Sequence, residues 1–208
     1  MTAARGHRPR WNPADPKELE AAARASARWL RRRQVPFALI GGLALQAHGY
    51  NRATTDVDWV LPPDLDFYLR EELRQDGSSE ALMTMPLSFG GVRAWVFHPD
   101  VRVDLVSRND GQGALYEAAL KSAQKTARVR MKGLLAPVVD LEFLVALKTA
   151  AWRPKDQADA IALLYLAPVA RPRLRRILEK YKVPDWEERL RWMETEAARE
   201  KIERRGKD

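Results

Sequence analysis

The sequence has no cysteine and only three histidines in 208 residues. The first absence excludes disulfides, thiolate metal centres and cysteine nucleophiles. The second makes a histidine zinc site improbable, because His7 falls in an N-terminal tail and His48 and His98 near a helix end and a strand end. No apolar run is long enough to cross a bilayer. The arginine-rich first residues lack the apolar segment of a secretory signal. A cytoplasmic protein with no membrane partner is therefore expected. Neither a Walker lysine nor the dinucleotide glycine spacing accompanies the Gly41-Gly42 pair.

What is present is 46% apolar and 31% charged, enough for one core or one core with a helical appendage. The net charge of +8 attracts polyanions and nucleotides without specifying them. Much of it lies in Arg5 to Arg10 with Arg31-Arg32-Arg33, and in Arg171 to Lys182. These stretches are either a nucleic-acid footprint or a solvated basic surface.

The punctuation of the chain predicts its elements. Asp15-Pro16-Lys17-Glu18 is a helix start, and Pro36 pushes Val35 out of helical conformation, so a first helix should end near Arg33. A strand is expected over Phe37 to Ile40, then a short helix over Leu43 to His48 closed near Gly49. Alternation marks a strand over Asp56 to Leu61, and Asp64 is placed to cap a helix reaching about Arg74. Strands over Ala81 to Met85 and Val92 to Phe97 flank a Gly90-Gly91 turn, and "VRVDLV" is a further strand over Val101 to Val106. A helix over Gly111 to Lys121, a short strand over Ala127 to Met131 and a turn at Gly133 follow. Four helical segments make up the rest: Val138 to Ala151, Lys155 or Asp156 to Tyr165, Pro172 to Tyr181, and Pro184 to Arg205. The expected fold is α/β (α+β): a core over residues 1–135, then an α-helical region over 136–208.

Gly41 and Gly42 fall between a strand and a helix, where bare backbone N–H groups admit a phosphate. A turn glycine pair explains them equally well. Asp56 and Asp58 share one face of their strand. Two carboxylates that close repel unless a positive group lies between them, and oxygen ligands on a rigid strand suit magnesium. Asp104 has the same setting. Three such carboxylates can hold two ions, one for a triphosphate and one to activate an attacking hydroxyl. The competing reading pairs some of these aspartates with arginines or places them in turns.

These residues resemble the nucleotidyltransferase superfamily: a glycine pair on a strand-to-helix turn, an aspartate dyad on the next strand and a third acid on a later one. Within it the chain is similar to the AbiEii-like nucleotidyltransferase toxins, through His48-Gly49, Arg52, Thr54 and Thr55 in the front motif. The helical segment Lys148, Arg153, Lys155, Asp156 and Asp159 matches in order. The likeness spans residues 35 to 165. The chain has Gly-Gly where many members have Gly-Ser, so Gly42 and Leu43 amides replace the serine hydroxyl.

The resemblance implies a five-stranded mixed sheet, a nucleoside triphosphate donor, and magnesium, with manganese as a substitute. It also implies an RNA target such as tRNA, and for some relatives a toxin restrained by a cognate antitoxin. On this reading Asp56, Asp58 and Asp104 are metal ligands and, with Lys148, catalytic. Gly41, Gly42, Arg52, Thr55, Lys148, Arg153 and Asp159 bind nucleotide. Lys148 lies on an apolar helix, where it either reaches a phosphate or snorkels to solvent. Asp159 is placed to pair with Lys148 or Arg153, and Asp156 to pair or to cap a helix. Thr54 and Thr55 serve either phosphate or the turn, and His48 is read as a helix C-cap. The rival functions are nucleotidyl transfer to a protein or small-molecule hydroxyl, and a degenerate nucleotide- or partner-binding module. The seven tryptophans fall mainly in apolar runs, with Trp186 and Trp192 placed to anchor the last helix or to face a partner.

Overall fold

Asp15 accepts a 2.8 Å hydrogen bond from the Lys17 amide and opens α1 (Pro16–Arg32), with Pro16 in the first turn. The helix closes in a Schellman turn. Gln34 takes a left-handed φ of 56°, its amide donates to Arg31 O, and the Val35 amide donates to Leu30 O. The computed structural model describes residues 15–75, 84–125, 128–131 and 134–205.

Five strands form one mixed sheet: β1 (Ala38–Ile40), β2 (Asp56–Val60), β3 (Thr84–Pro86), β4 (Gly91–Ala94) and β5 (Arg102–Val106). Their spatial order is β1-β2-β5-β4-β3, with β2 and β5 parallel and every other pair antiparallel. A parallel pair needs a crossover. It is supplied by α3 (Asp66–Gln75) and the β3–β4 hairpin. Period-two alternation then divides the strands. Val57 and Trp59 turn to α1, where Trp59 Nε1 donates 2.9 Å to Ser26 Oγ and both side chains are fully buried. Asp56 and Asp58 turn to the opposite face.

That opposite face is covered by helices. Besides α2 (Gly41–Ala47) and α4 (Gly113–Ala123), the chain forms a two-stranded antiparallel pair of β6 (Arg128–Met131) and β7 (Leu134–Pro137). Four helices follow: α5 (Leu141–Ala151), α6 (Pro154–Leu166), α7 (Arg171–Lys180) and α8 (Trp186–Arg205). Among the described residues no helix is long and apolar enough to cross a membrane.

The expected α/β core and helical back half are present, with shifted boundaries. Helix α2 starts at Gly41 rather than Leu43, and His48 is its C-cap as expected. Asp64 does not cap α3. Its φ of 63° turns the chain, and its Oδ1 accepts from Asn109. Strand β4 stops at Ala94 because the chain turns at Trp95, whose carbonyl accepts from the His98 amide. Pro154 is the first residue of α6, where the amide it lacks is not needed. Strand β7, which pairs antiparallel with β6, goes beyond the elements expected, since Pro137 argues against a strand. The expected strand residues 81–83 and 127 and the turn at 133 lie outside the described residues. Trp29 and Trp59 are core residues, whereas Trp192 is exposed and sets its edge against Trp152 at 5.6 Å.

Candidate active site

Strand register builds the site. In the parallel β2–β5 pair Asp58 stands beside Asp104 and Asp56 beside Arg102. On the outer side of β5, Arg93 of β4 stands beside Asp104, and beyond β2 Ile40 stands beside Asp58. Adjacent partners share a face, so Ile40, Asp58, Asp104 and Arg93 form one row across four strands. Helices α5 and α6 roof that row with Leu147, Lys148, Ala151, Arg153 and Asp156, enclosing a cleft of about 150 Å³.

The glycine pair has a packing reason. Gly41 turns the chain from β1 into α2 with φ of 65°, and a Cβ on it would lie 2.7 Å from Asp58 Cγ. A Cβ on Gly42 would lie 2.5 Å from Thr54 Cβ. The space a side chain would need is filled by the aspartate strand. Thr54, which is buried, donates 2.8 Å to Asp56 Oδ1.

Each carboxylate has a different environment. Burial opposes ionisation of Asp56, but Arg102, the Thr54 hydroxyl and Lys155 outweigh it and hold its pKa below the usual range. Asp104 accepts a two-pronged hydrogen bond from Arg93, with Nε to Oδ1 at 2.9 Å and Nη2 to Oδ2 at 3.0 Å. Asp58 is pushed up to about 7 by burial and by repulsion from Asp56 and Asp104, which Lys148 and Arg102 only partly offset.

A second charge cluster faces the dyad. Lys148 Nζ donates to Asp156 Oδ1 and Asp159 Oδ2, each at 2.8 Å. Burial disfavours its charge, yet Asp156 and Asp159 raise its pKa above the ordinary lysine value. Lys148 is 7% exposed, so its stem does not snorkel outward. Asp156 also accepts from Arg153 Nε at 2.6 Å, and Asp159 Oδ1 lies 3.0 Å from Arg52 Nε. The Arg52 contact is an ion pair only: its Nε and Nη2 are buried and donate to no acceptor. Two carboxylates spaced i, i+3 on α6 thus hold three cations from three parts of the chain.

Of the residues singled out in the sequence, Gly41, Gly42, Arg52, Asp56, Asp58, Asp104, Lys148 and Arg153 line one cleft. Asp159 stands behind Lys148, and Thr55 is exposed and outside the lining. His48 Nε2 lies 2.8 Å from Val139 O, so the cap also ties α2 to the approach of α5. Arg93, Arg102, Phe89 and Tyr116 also line the cleft. The sequence reading passed over them, although alternation in "VRVDLV" already places Arg102 and Asp104 on one face. Arg108 stacks between the rings of Phe89 and Tyr116, 5.0 and 4.9 Å from their centroids. The lining carries six basic residues (Arg52, Arg93, Arg102, Lys148, Arg153, Lys155) against four acidic ones (Asp56, Asp58, Asp104, Asp156).

The donor set suits a hard divalent ion in kind: three carboxylates on one sheet face, one of them in a repulsive field. Their oxygens do not yet converge. Among the described residues no three His, Cys, Asp or Glu side chains gather around one ion-sized point. The reason is visible in the ion pairs, since Arg102 holds Asp56 and Arg93 holds Asp104.

The basic stretch after Arg171 is partly spent inside the protein. Arg173 pairs with Asp140 at 2.6 Å and Glu142 at 3.0 Å, while Arg171 and Arg175 lie 3.9 and 3.5 Å from Glu194.

No model of a known family matches the chain, and no curated protein matches it. Solved structures do. A solution structure of the antibiotic-resistance factor ANT(2'')-Ia aligns with TM-score 0.54 at 12% identity, covering 81% of this chain and 92% of that one. A crystal structure of ANT(2'')-Ia in complex with adenylyl-2''-tobramycin aligns with TM-score 0.51 at 13% identity, covering 77% and 94%. The fold is that of the nucleotidyltransferases, a mixed α/β architecture around a five-stranded sheet. At this identity the likeness is one of fold.

Proposed function

We propose that the protein is a nucleotidyltransferase that moves a nucleoside monophosphate from a nucleoside triphosphate to an acceptor hydroxyl. The observation that carries this reading is the row of Asp58 and Asp104 on adjacent parallel strands, with Asp56 on the same face, opposite Lys148. Three carboxylates on the sheet facing Lys148 and Arg153 across the cleft suit a reaction whose charge is spread over transferring phosphate oxygens.

Asp56, Asp58 and Asp104 would hold magnesium or manganese, which supplies Lewis-acid charge for the phosphates and the attacking oxygen when bound. Lys148, fixed by Asp156 and Asp159, presents its charge to the triphosphate. Arg52 and Arg153 flank it, and the unspent donors of Arg52 await acceptors. Gly41 lets the backbone approach Asp58 closely, and Gly42 lets it approach Thr54. The acceptor oxygen attacks the α-phosphorus, its proton passes to Asp104, and the bond to the β-phosphate breaks to release pyrophosphate. The helical region from residue 136 thus completes a nucleotide site begun by the core.

The acceptor is a polyanion, RNA such as tRNA in the first place. ANT(2'')-Ia is seen with an adenylylated tobramycin, but a polyamine acceptor is disfavoured beside a lining with more basic than acidic residues. Membership of the AbiEii-like branch, with a toxin role under an antitoxin, rests on the motif order from Gly41 to Asp159. The test is incubation with each α-labelled triphosphate and either total RNA or an aminoglycoside. Label should enter RNA and be lost in Asp58→Ala while its circular dichroism is retained. Undiminished transfer by Asp58→Ala would overturn the reading, and label on the aminoglycoside alone would overturn the acceptor.

A further inference from the structure

We infer that Arg102 is a built-in competitor for the metal site, holding Asp56 out of the ligand set in the free protein and passing to the triphosphate when nucleotide binds. The inference rests on the nucleotidyltransferase reading of the cleft and adds a condition to it: the free protein resists divalent ions.

The two arginines on this face are not equivalent. Arg93 spends both prongs on Asp104 in near-ideal geometry and is anchored. Arg102 grips Asp56 through Nη2 only. Its Nε is buried and finds no hydrogen-bond acceptor, with Asp104 Oδ1 3.6 Å away. A half-satisfied guanidinium is the cheaper one to displace. Its side chain is 34% exposed and lines the cleft, so it can turn toward a ligand without unpacking the sheet. A phosphate offers the paired oxygens that its fork lacks here.

Charge makes the competition obligatory. An ion ligated by Asp56 would take the carboxylate that the Arg102 guanidinium now holds, and the two cations would repel each other across it. A triphosphate resolves the conflict by accepting the arginine. Nucleotide and ion therefore strengthen one another's binding by the same factor.

The experiment measures free and bound Mn2+ by electron paramagnetic resonance, without nucleotide. Arg102→Gln should bind Mn2+ about 10-fold more tightly than the wild type, within the usual range of coupling between sites. Arg102→Lys, which keeps the charge but loses the fork, should bind about 5-fold more tightly than the wild type, at the low end of the same range, and serves if the glutamine variant does not fold. Adding Asp58→Asn to either variant should abolish the gain. Equal Mn2+ affinity in the wild type and the variants overturns the inference, and so does a gain that survives Asp58→Asn. If those variants match the wild type while Mn2+ with an α,β-methylene triphosphate still binds, the nucleotidyltransferase reading stands alone. Failure of Mn2+ to bind any of these proteins, with or without that analogue, overturns both.

Discussion

Gly41 and Asp58 compete for one volume: a Cβ on Gly41 would fall 2.7 Å from the Asp58 carboxyl carbon. The glycine that opens α2 and the aspartate of β2 therefore constrain each other, and the pairing shapes the cleft before any ligand arrives. Gly41→Ala should lower stability by about 2–4 kcal/mol, from a left-handed φ that alanine resists and from the clash. In an Asp58→Ala background the same change should be milder, because the carboxyl clash is gone and only the backbone term and a 3.0 Å contact with the residue 58 Cβ remain. Chemical denaturation of the four proteins in that cycle measures the coupling, and strict additivity would contradict it.

Asp58 is held in conflict with its neighbours, so removing its charge should stabilise the protein while ending transfer. Its folded pKa, near 7, lies above the ordinary carboxyl value of 3.8. Ionisation is then easier in the unfolded chain, so this group's contribution to stability is full below about pH 4 and is lost as pH rises through 7. Asp58→Asn should melt higher than the wild type at pH 8, and the gap should narrow as pH falls through 7 and close only below about pH 4, where the carboxyl is protonated in the folded and unfolded chain alike. Scanning calorimetry across that window reads it directly.

Lys148 sits between two acids that are each 1% exposed. Lys148→Met leaves Asp156 and Asp159 without their shared cation and should cost about 3–5 kcal/mol, the range for breaking a buried pair. Adding Asp156→Asn and Asp159→Asn should restore only part of the stability, since Arg153 and Arg52 then lose their carboxylates. Transfer activity should not return. Denaturant midpoints alongside label incorporation separate the two effects.

Helix α8 is held in part by Trp192 against Trp152 and by Arg189, whose guanidinium lies 4.9 Å from the Trp152 ring and donates 2.9 Å to Thr149 O. Trp192→Ala should cost about 1 kcal/mol, the scale of an aromatic pair beyond its buried area. Hydrogen exchange should quicken in α8 before it does in β2. Unchanged exchange in α8 would show that the tryptophan is a surface residue with no anchoring part.

Local chemistry made much of this legible. The Asp15-Pro16 start, the glycine turn, the alternation that puts Asp56 and Asp58 on one face and the His48 cap all follow from forces acting within a few residues. The misplacements also have local causes. Asp64 has the right type to cap a helix, but its left-handed backbone and its bond to Asn109 spend it elsewhere.

By itself the sequence determined which side chains share a strand face, because the pleat has period two whatever lies alongside. Only the tertiary structure decided which strands are neighbours. The parallel register of β2 with β5 sets Asp104 beside Asp58 and Arg102 beside Asp56 across more than forty residues of chain, and no periodicity encodes that offset. The same holds for Lys148. Its helix reads as largely apolar, and Lys148 becomes a paired buried cation only where α6 carries Asp156 and Asp159 against it, since a charge in the interior is stable only where folding delivers its partners.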